Sequence, residues 1–162
     1  MSNPEVDNYC KTYDSIGDTY KHKQEVSRLI NAVVRILLDK SVKHDESKLE
    51  NPEKEIFDKY TPLLSNTTYG SETYKNHLQE MGNGLQHHYE YNFHHPEHYV
   101  NGIQGMTLID IMEMIIDWLA ATKKHKDGDI LKSIEINQKR FGYGDDLKQI
   151  FINTIKELEL VD

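Results

Sequence analysis

Nine of the 162 residues are histidines, none of them in a terminal tag, and His94, His95 and His98 crowd into five positions. A second group pairs an imidazole with a carboxylate at His44-Asp45, and Lys48 follows three residues after the aspartate. Further along, Asp110, Glu113 and Asp117 fall at i, i+3 and i+7 within an otherwise apolar stretch, which puts all three on one helical stripe. Carboxylates on a buried helix are costly unless they are paired, hydrogen-bonded or bound to a metal. Neutral imidazoles and carboxylates together suit first-row divalent ions, and a carboxylate can bridge two of them. The chemistry these residue types offer is metal binding.

The elements that must position these groups read as helices. Asp18 is a good N-cap, and Val26, Leu29, Ile30, Val33, Val34, Leu37 and Leu38 after it keep the i, i+3, i+4, i+7 spacing of one apolar face, which His22 extends by a turn. A short helix from about Ser41 is expected to carry His44, Asp45 and Lys48. Asn51-Pro52 reads as the N-cap and first residue of the next helix, with Ile56, Phe57, Tyr60, Leu63 and Leu64 buried. A helix from about Ser71 to His88 is weakened by Gly82 and Gly84. Residues 91–106, with Pro96, Gly102 and Gly105, read as irregular. Thr107-x-x-Asp110 resembles a capping box for a helix reaching about His125, which is apolar on most of its circumference and therefore expected to be central. Helices near 129–141 and 146–160 complete about seven, with no convincing strand: an all-α, single compact helical domain over 18–162, preceded by a flexible N-terminal arm over 1–17.

Composition narrows the partners. With 37 % hydrophobic and 28 % charged residues the chain is that of a globular protein. Its net charge of -8 argues against general nucleic-acid binding, which rests on clustered Lys and Arg. No apolar run approaches the ~20 residues that span a bilayer, so no membrane partner is expected. The one cysteine, Cys10, has no internal partner, which suits a reducing cytoplasm.

The order His, His-Asp, Asp resembles the HD-domain superfamily of metal-dependent phosphohydrolases over roughly residues 20–125. The resemblance implies a helical fold and His22, His44, Asp45 and Asp117 as metal ligands. His44-Asp45-Glu46-Ser47-Lys48 resembles the HD-x-G-K stretch of the HD-GYP phosphodiesterases, with Ser47 in place of glycine, and His94-His95-Pro96-Glu97 resembles their His-His-Glu segment with Pro96 inserted. In Asp117-Trp118-Leu119-Ala120-Ala121 the first aspartate of a D-x-x-D-A pattern matches and Ala120 replaces the second. The GYP signature is missing, since Phe141-Gly142-Tyr143-Gly144 lies too late, and these departures argue against a cyclic dinucleotide substrate. The HD-x-S-K, HHPEH and DWLAA pattern also resembles an uncharacterised phage and bacterial family.

Helix geometry sorts the other histidines. His77 and His88 share a face but stand about 16 Å apart along a continuous helix at ~1.5 Å per residue, so they cannot hold one ion together. Pro96 argues against an unbroken helix through His94 and His98. His94 and His95 are the best candidates for a second metal, with His77 an outside alternative; His87 and His125 read as surface residues, and His98 is left open between the surface and the site. Glu113 reads as a carboxylate that orients a ligand histidine. Tyr89, Tyr91 and Tyr99 sit among the histidines. The expected activity is hydrolysis of a phosphate ester or anhydride in a nucleotide-like small molecule, with one or two Mn, Fe, Co, Ni or Zn ions. Lys48 and Asp45 are the catalytic candidates, Lys48 as a cation facing phosphate. Two alternatives keep the fold: a di-iron oxygenase, and a metal- or nucleotide-binding domain without turnover. An oligomer is compatible with either.

Overall fold

The structure is a computed structural model that describes residues 13–124 and 128–159. The expectations placed on Cys10, on the arm up to residue 12 and on the helix end at His125 lie outside the described residues. The described chain is all-α. It contains α1 (Ile16–Lys43), α2 (Glu53–Ser65), α3 (Glu72–Tyr91), α4 (Leu108–Lys123), α5 (Ile130–Phe141) and α6 (Asp145–Glu159), with 3-10 turns at Glu46–Leu49, Pro96–His98 and Gly102–Gly105 and no strand. None of its helices is long and apolar enough to cross a membrane.

The chain divides within α1 into two compact units, Met1–Asp39 and Lys40–Asp162. In the first, α1 is the one helix described, and the apolar face expected to be buried there is not. Val26, Leu29, Ile30, Val33, Val34 and Leu38 are all exposed, and no residue of α1 is buried. Periodicity reports which face of a helix is apolar, but burial needs a second element against that face.

In the second unit the expected break near Ser41 is absent. The α1 helix continues through Lys43, and the chain leaves it at Asp45, whose φ of 58° is left-handed. Aspartate tolerates that conformation better than most residues, because its short polar side chain can bond locally. Lys48 therefore follows Asp45 around a 3-10 turn instead of along a helix. The α2 helix begins one residue later than expected, with Pro52 at the N-cap, and its buried residues are Glu53 and Tyr60, while Leu63 is exposed.

Helices α2 and α3 pack at Gly84, where a Cβ would lie 2.4 Å from Ile56 Cδ1. That approach sets the start of α2, and with it Glu53, against the end of α3. Ser71 caps α3 by accepting from Tyr74 N at 3.2 Å, and Gly82 interrupts the helix with φ of 48°. The capping box of α4 is present: Thr107 Oγ1 accepts from Asp110 N, and the Asp110 carboxylate accepts from Thr107 N at 3.1 Å. Only one side of α4 is deeply covered. Met114 and Ile115 join Ile103, Ile130, Ile134, Tyr143, Phe151 and Ile155 in the core, whereas Leu108 and Ile116 stay exposed. An all-round apolar sequence overstates how central the helix is. Its acidic stripe is turned toward the loops that follow α1 and α3.

Candidate metal centre

The end of α1 and the turn after it bring His44, Asp45, Ser47 and Lys48 to one place. The end of α3 and the loop after it bring His88, Asn92, His94 and His95. Three groups of ligand-type atoms result: Asp45, His88, His94 and His95; His44, Asp45 and Asp117; and His44, His94 and Glu113. All three lie in the second unit.

Three of the four imidazoles share one orientation. His44 Nδ1 lies 3.0 Å from Glu113 Oε1, His94 Nδ1 lies 3.4 Å from the same oxygen, and His88 Nδ1 lies 2.8 Å from Glu53 Oε2. In its neutral form a ring that donates its Nδ1–H to a carboxylate keeps a lone pair on Nε2. Those Nε2 atoms face Asp45. Oδ1 of Asp45 is 3.4 Å from His88 Nε2 and 3.5 Å from His94 Nε2, while Oδ2 is 3.6 Å from His44 Nε2. His44 Nε2 is also 3.5 Å from Asp117 Oδ1, and His88 Nε2 is 2.9 Å from His95 Nε2. Asp45 is thus common to two of the groups, one on each carboxylate oxygen.

Glu53 is fully buried, and its carboxylate receives His87 Nδ1 at 2.7 Å, His88 Nδ1 at 2.8 Å and the Ser47 hydroxyl at 3.0 Å. Asn92 ties the two sides together by donating to Ser47 Oγ at 2.8 Å and to the His88 carbonyl at 2.8 Å. Lys40 donates to Glu113 at 2.9 Å and reaches Asp110 at 2.8 Å, so the acidic stripe is compensated at its N-terminal end. Lys48 Nζ donates to Asp45 Oδ2 and sits 4.8 Å from the Phe57 ring centroid.

Electrostatics follow from this arrangement. Hydrogen bonds to Asp117 and Glu113 outweigh burial and push His44 up to about 10. Burial, reinforced by Lys48, lowers His88, and burial with the neighbouring His94 takes His95 well below the ordinary range. Burial works to raise the Glu113 carboxyl, but His44, His94 and Lys40 together hold it far below its usual range. For Asp45, burial is likewise overcome by Lys48 and His44.

A transition ion fits the residues present. Asp45 Oδ1 and His94 Nε2 are buried and have no hydrogen-bond partner, although each is a strong hydrogen-bonding group. The negative field that lifts His44 is one that a divalent cation would neutralise directly.

The structure brings together His44, Asp45, Asp117, His94 and His95 from the expected site. It does not bring in His22, which lies exposed in the first unit and belongs to none of the three groups. His98 bonds the Tyr89 carbonyl at 3.1 Å, and His77 of α3 sits beside Tyr60 of α2; neither joins a group. His87 is not a free surface histidine, since it pairs with Glu53 and stacks on Tyr91. Tyr89 lies 5.0 Å from the His95 ring, and Tyr99 donates to Asp110 at 3.0 Å. Sequence reasoning missed Glu53 and left His88 without a role. A glutamate in the first turn of a helix reads as a partner for the dipole, which hides its burial.

The chain belongs to the family of unknown function DUF5662, which matches residues 11–158. No curated protein and no solved structure matches it.

Proposed function

We propose that this chain is a metal-dependent phosphohydrolase of the HD type that hydrolyses a small phosphate ester or anhydride in a reducing cytoplasm. One observation carries the reading. Imidazole Nε2 atoms from the ends of two segments face a single aspartate, and Asp45 Oδ1 and His94 Nε2 are buried there without hydrogen bonds. The order His44-Asp45, then Asp117, supports the same reading through its resemblance to the HD superfamily.

His88, His94, His95 and Asp45 Oδ1 would hold one ion, and His44, Asp117 and Asp45 Oδ2 a second. A bound divalent ion supplies Lewis acidity, lowering the pKa of water toward ~7 and offsetting charge on phosphoryl oxygens. The protein's own groups supply the rest. Glu113 and Glu53 fix the ring orientation of His44, His94 and His88, so that no reorganisation is needed when ligands are engaged. Lys48, held at the edge of the cluster by Asp45 and the Phe57 face, presents an ammonium to an anionic substrate.

The deciding experiment is metal analysis of anaerobically purified protein, followed by a screen of nucleotides and phosphate esters with and without oxygen. Stoichiometric transition metal with phosphate release independent of oxygen is the expected result. Full metal content with no release across the panel would overturn the hydrolase reading.

A further inference from the structure

Trp118, the residue after Asp117 on α4, is one wall of a cavity of about 200 Å³ whose walls also include Tyr69, Tyr74, Ala121, Ser133 and Ile136. Its aromatic walls are fixed in place. Trp118 stacks on Phe141 at 6.1 Å and meets Phe151 edge-on at 6.0 Å, so the indole is held from behind. Tyr69 and Tyr74 meet edge to face at 5.1 Å, and Tyr69 Oη donates to Asn137 Oδ1 at 3.1 Å. Ala121 and Ile136 are exposed, which opens the cavity to solvent. An apolar cavity of roughly 150 Å³ accepts a benzene ring, so the volume here suffices for a planar heteroaromatic ring.

Two connections lead from the cavity to the metal centre. Asp117 immediately precedes Trp118 and stands one helical turn before Ala121 on α4. On the other side a neighbouring cavity of about 550 Å³ shares Tyr69, Tyr74 and Ile136 and adds Lys75, Lys139 and Arg140. Arg140 donates to Tyr89 Oη at 3.3 Å, and the Tyr89 ring packs on His95. Burial first, then neighbouring charges that include Asp117, raise the Tyr74 phenol above its ordinary value. Of these cations Arg140 is paired with Glu97 and Lys75 lies 3.9 Å from Glu72, while Lys139 adds a further positive side chain to the same wall. Aromatic faces that accept a base, with cations for its phosphate, are how proteins take nucleotides without reading their sequence.

We propose that the Tyr69–Tyr74–Trp118 cavity is the base-binding subsite for a nucleoside phosphate whose phosphate group reaches the His–Asp cluster. This deepens the phosphohydrolase reading and rests on it.

Trp118 is the chain's one tryptophan, so its fluorescence reports on this cavity alone. The metal-loaded protein is titrated with adenosine 5′-phosphorothioate, a slowly hydrolysed probe, and with ribose 5-phosphate, which lacks the ring. Excitation is set where adenine does not absorb. The adenine probe is expected to give a saturable change with an affinity about tenfold or more above that of ribose 5-phosphate, the contribution of a stacked base. Ala121→Phe, at the exposed mouth, is expected to weaken the adenine probe by about tenfold while leaving metal content and helicity unchanged. Equal affinity for the two probes overturns the proposal, as does a silent Trp118; the unmodified protein decides both. Ring-dependent binding without phosphate release from adenosine 5′-monophosphate would keep the subsite and overturn the hydrolase reading. Equally fast release from ribose 5-phosphate, with no Trp118 response, would do the reverse.

Discussion

Asp45 Oδ1 and His94 Nε2 face each other across 3.5 Å, both buried and neither hydrogen-bonded. Two acceptor atoms in that position repel unless a proton or a cation lies between them. Because the second oxygen of Asp45 faces His44, one carboxylate serves both ion positions. Asp45→Asn keeps the left-handed backbone, which asparagine tolerates, and removes the charge. Metal content per chain, measured by mass spectrometry after dialysis, should fall to background for this variant. Retention of one ion would show that Asp45 is not shared.

Glu53 and His88 give a second test, directed at orientation instead of ligation. Glu53→Gln preserves volume but cannot accept from both His87 and His88 as a charged group. Hydrogen bonds to charged groups contribute about 1.5–3 kcal/mol, and a lost carboxylate behind a ligand histidine typically costs about 10–100-fold in metal affinity. Both a lower denaturation midpoint and weaker metal binding are expected. If the midpoint drops with unchanged affinity, Glu53 is a structural group alone.

Asp110 and Asp117 occupy one stripe and should behave differently. Asp117→Ala removes a ligand and should release metal. Asp110→Ala removes one half of the capping box together with the Lys40 and Tyr99 contacts, so it should cost stability and leave the metal bound. Burial works to raise the Asp110 carboxyl, but hydrogen bonds from Lys40 and Thr107 hold it below its ordinary range. A depressed carboxyl contributes stability above its unfolded pKa of about 3.9, and that contribution is lost as pH falls through the lower folded value. The stability gap between the parent and Asp110→Asn should therefore be full at pH 7 and close in acid. Urea titrations across that range measure it, and a gap independent of pH would rule out the charge as its source.

The sequence was most legible where a signal is local. The capping box at Thr107 and Asp110 and the pairing of His44 with Asp45 each depend on residues a few positions apart, and the structure has both. Non-local pairing was not legible. The role of His88 depends on Glu53, 35 residues earlier, and on a chain reversal at Asn92 that no periodicity announces. The length of α1 was not legible either, since nothing between Leu37 and Lys43 breaks a helix; the break comes from the backbone of Asp45. The apolar face from Val26 to Leu38 is real as a pattern, but a pattern does not name what covers it.

Lys48 and Asp45 carry the last prediction, which concerns chemistry and not metal content. Lys48 Nζ donates to Oδ2 of Asp45, the oxygen that also faces His44, while Oδ1 faces His88 and His94. An ammonium so close to a cation site does nothing to hold the cation, since like charges repel. It does lower the charge that an incoming phosphate group meets, and it can donate to a non-bridging or leaving oxygen. Removing a comparable electrostatic donor costs about 10²–10³-fold in turnover. Lys48→Ala should therefore keep its full metal complement and lose phosphate-ester turnover by about 10²-fold, with Lys48→Arg recovering part of it. The same rate in Lys48→Ala and the parent would show that Lys48 serves only to pair with Asp45. Loss of metal in Lys48→Ala would show instead that the ammonium is needed to hold Asp45 in its left-handed turn.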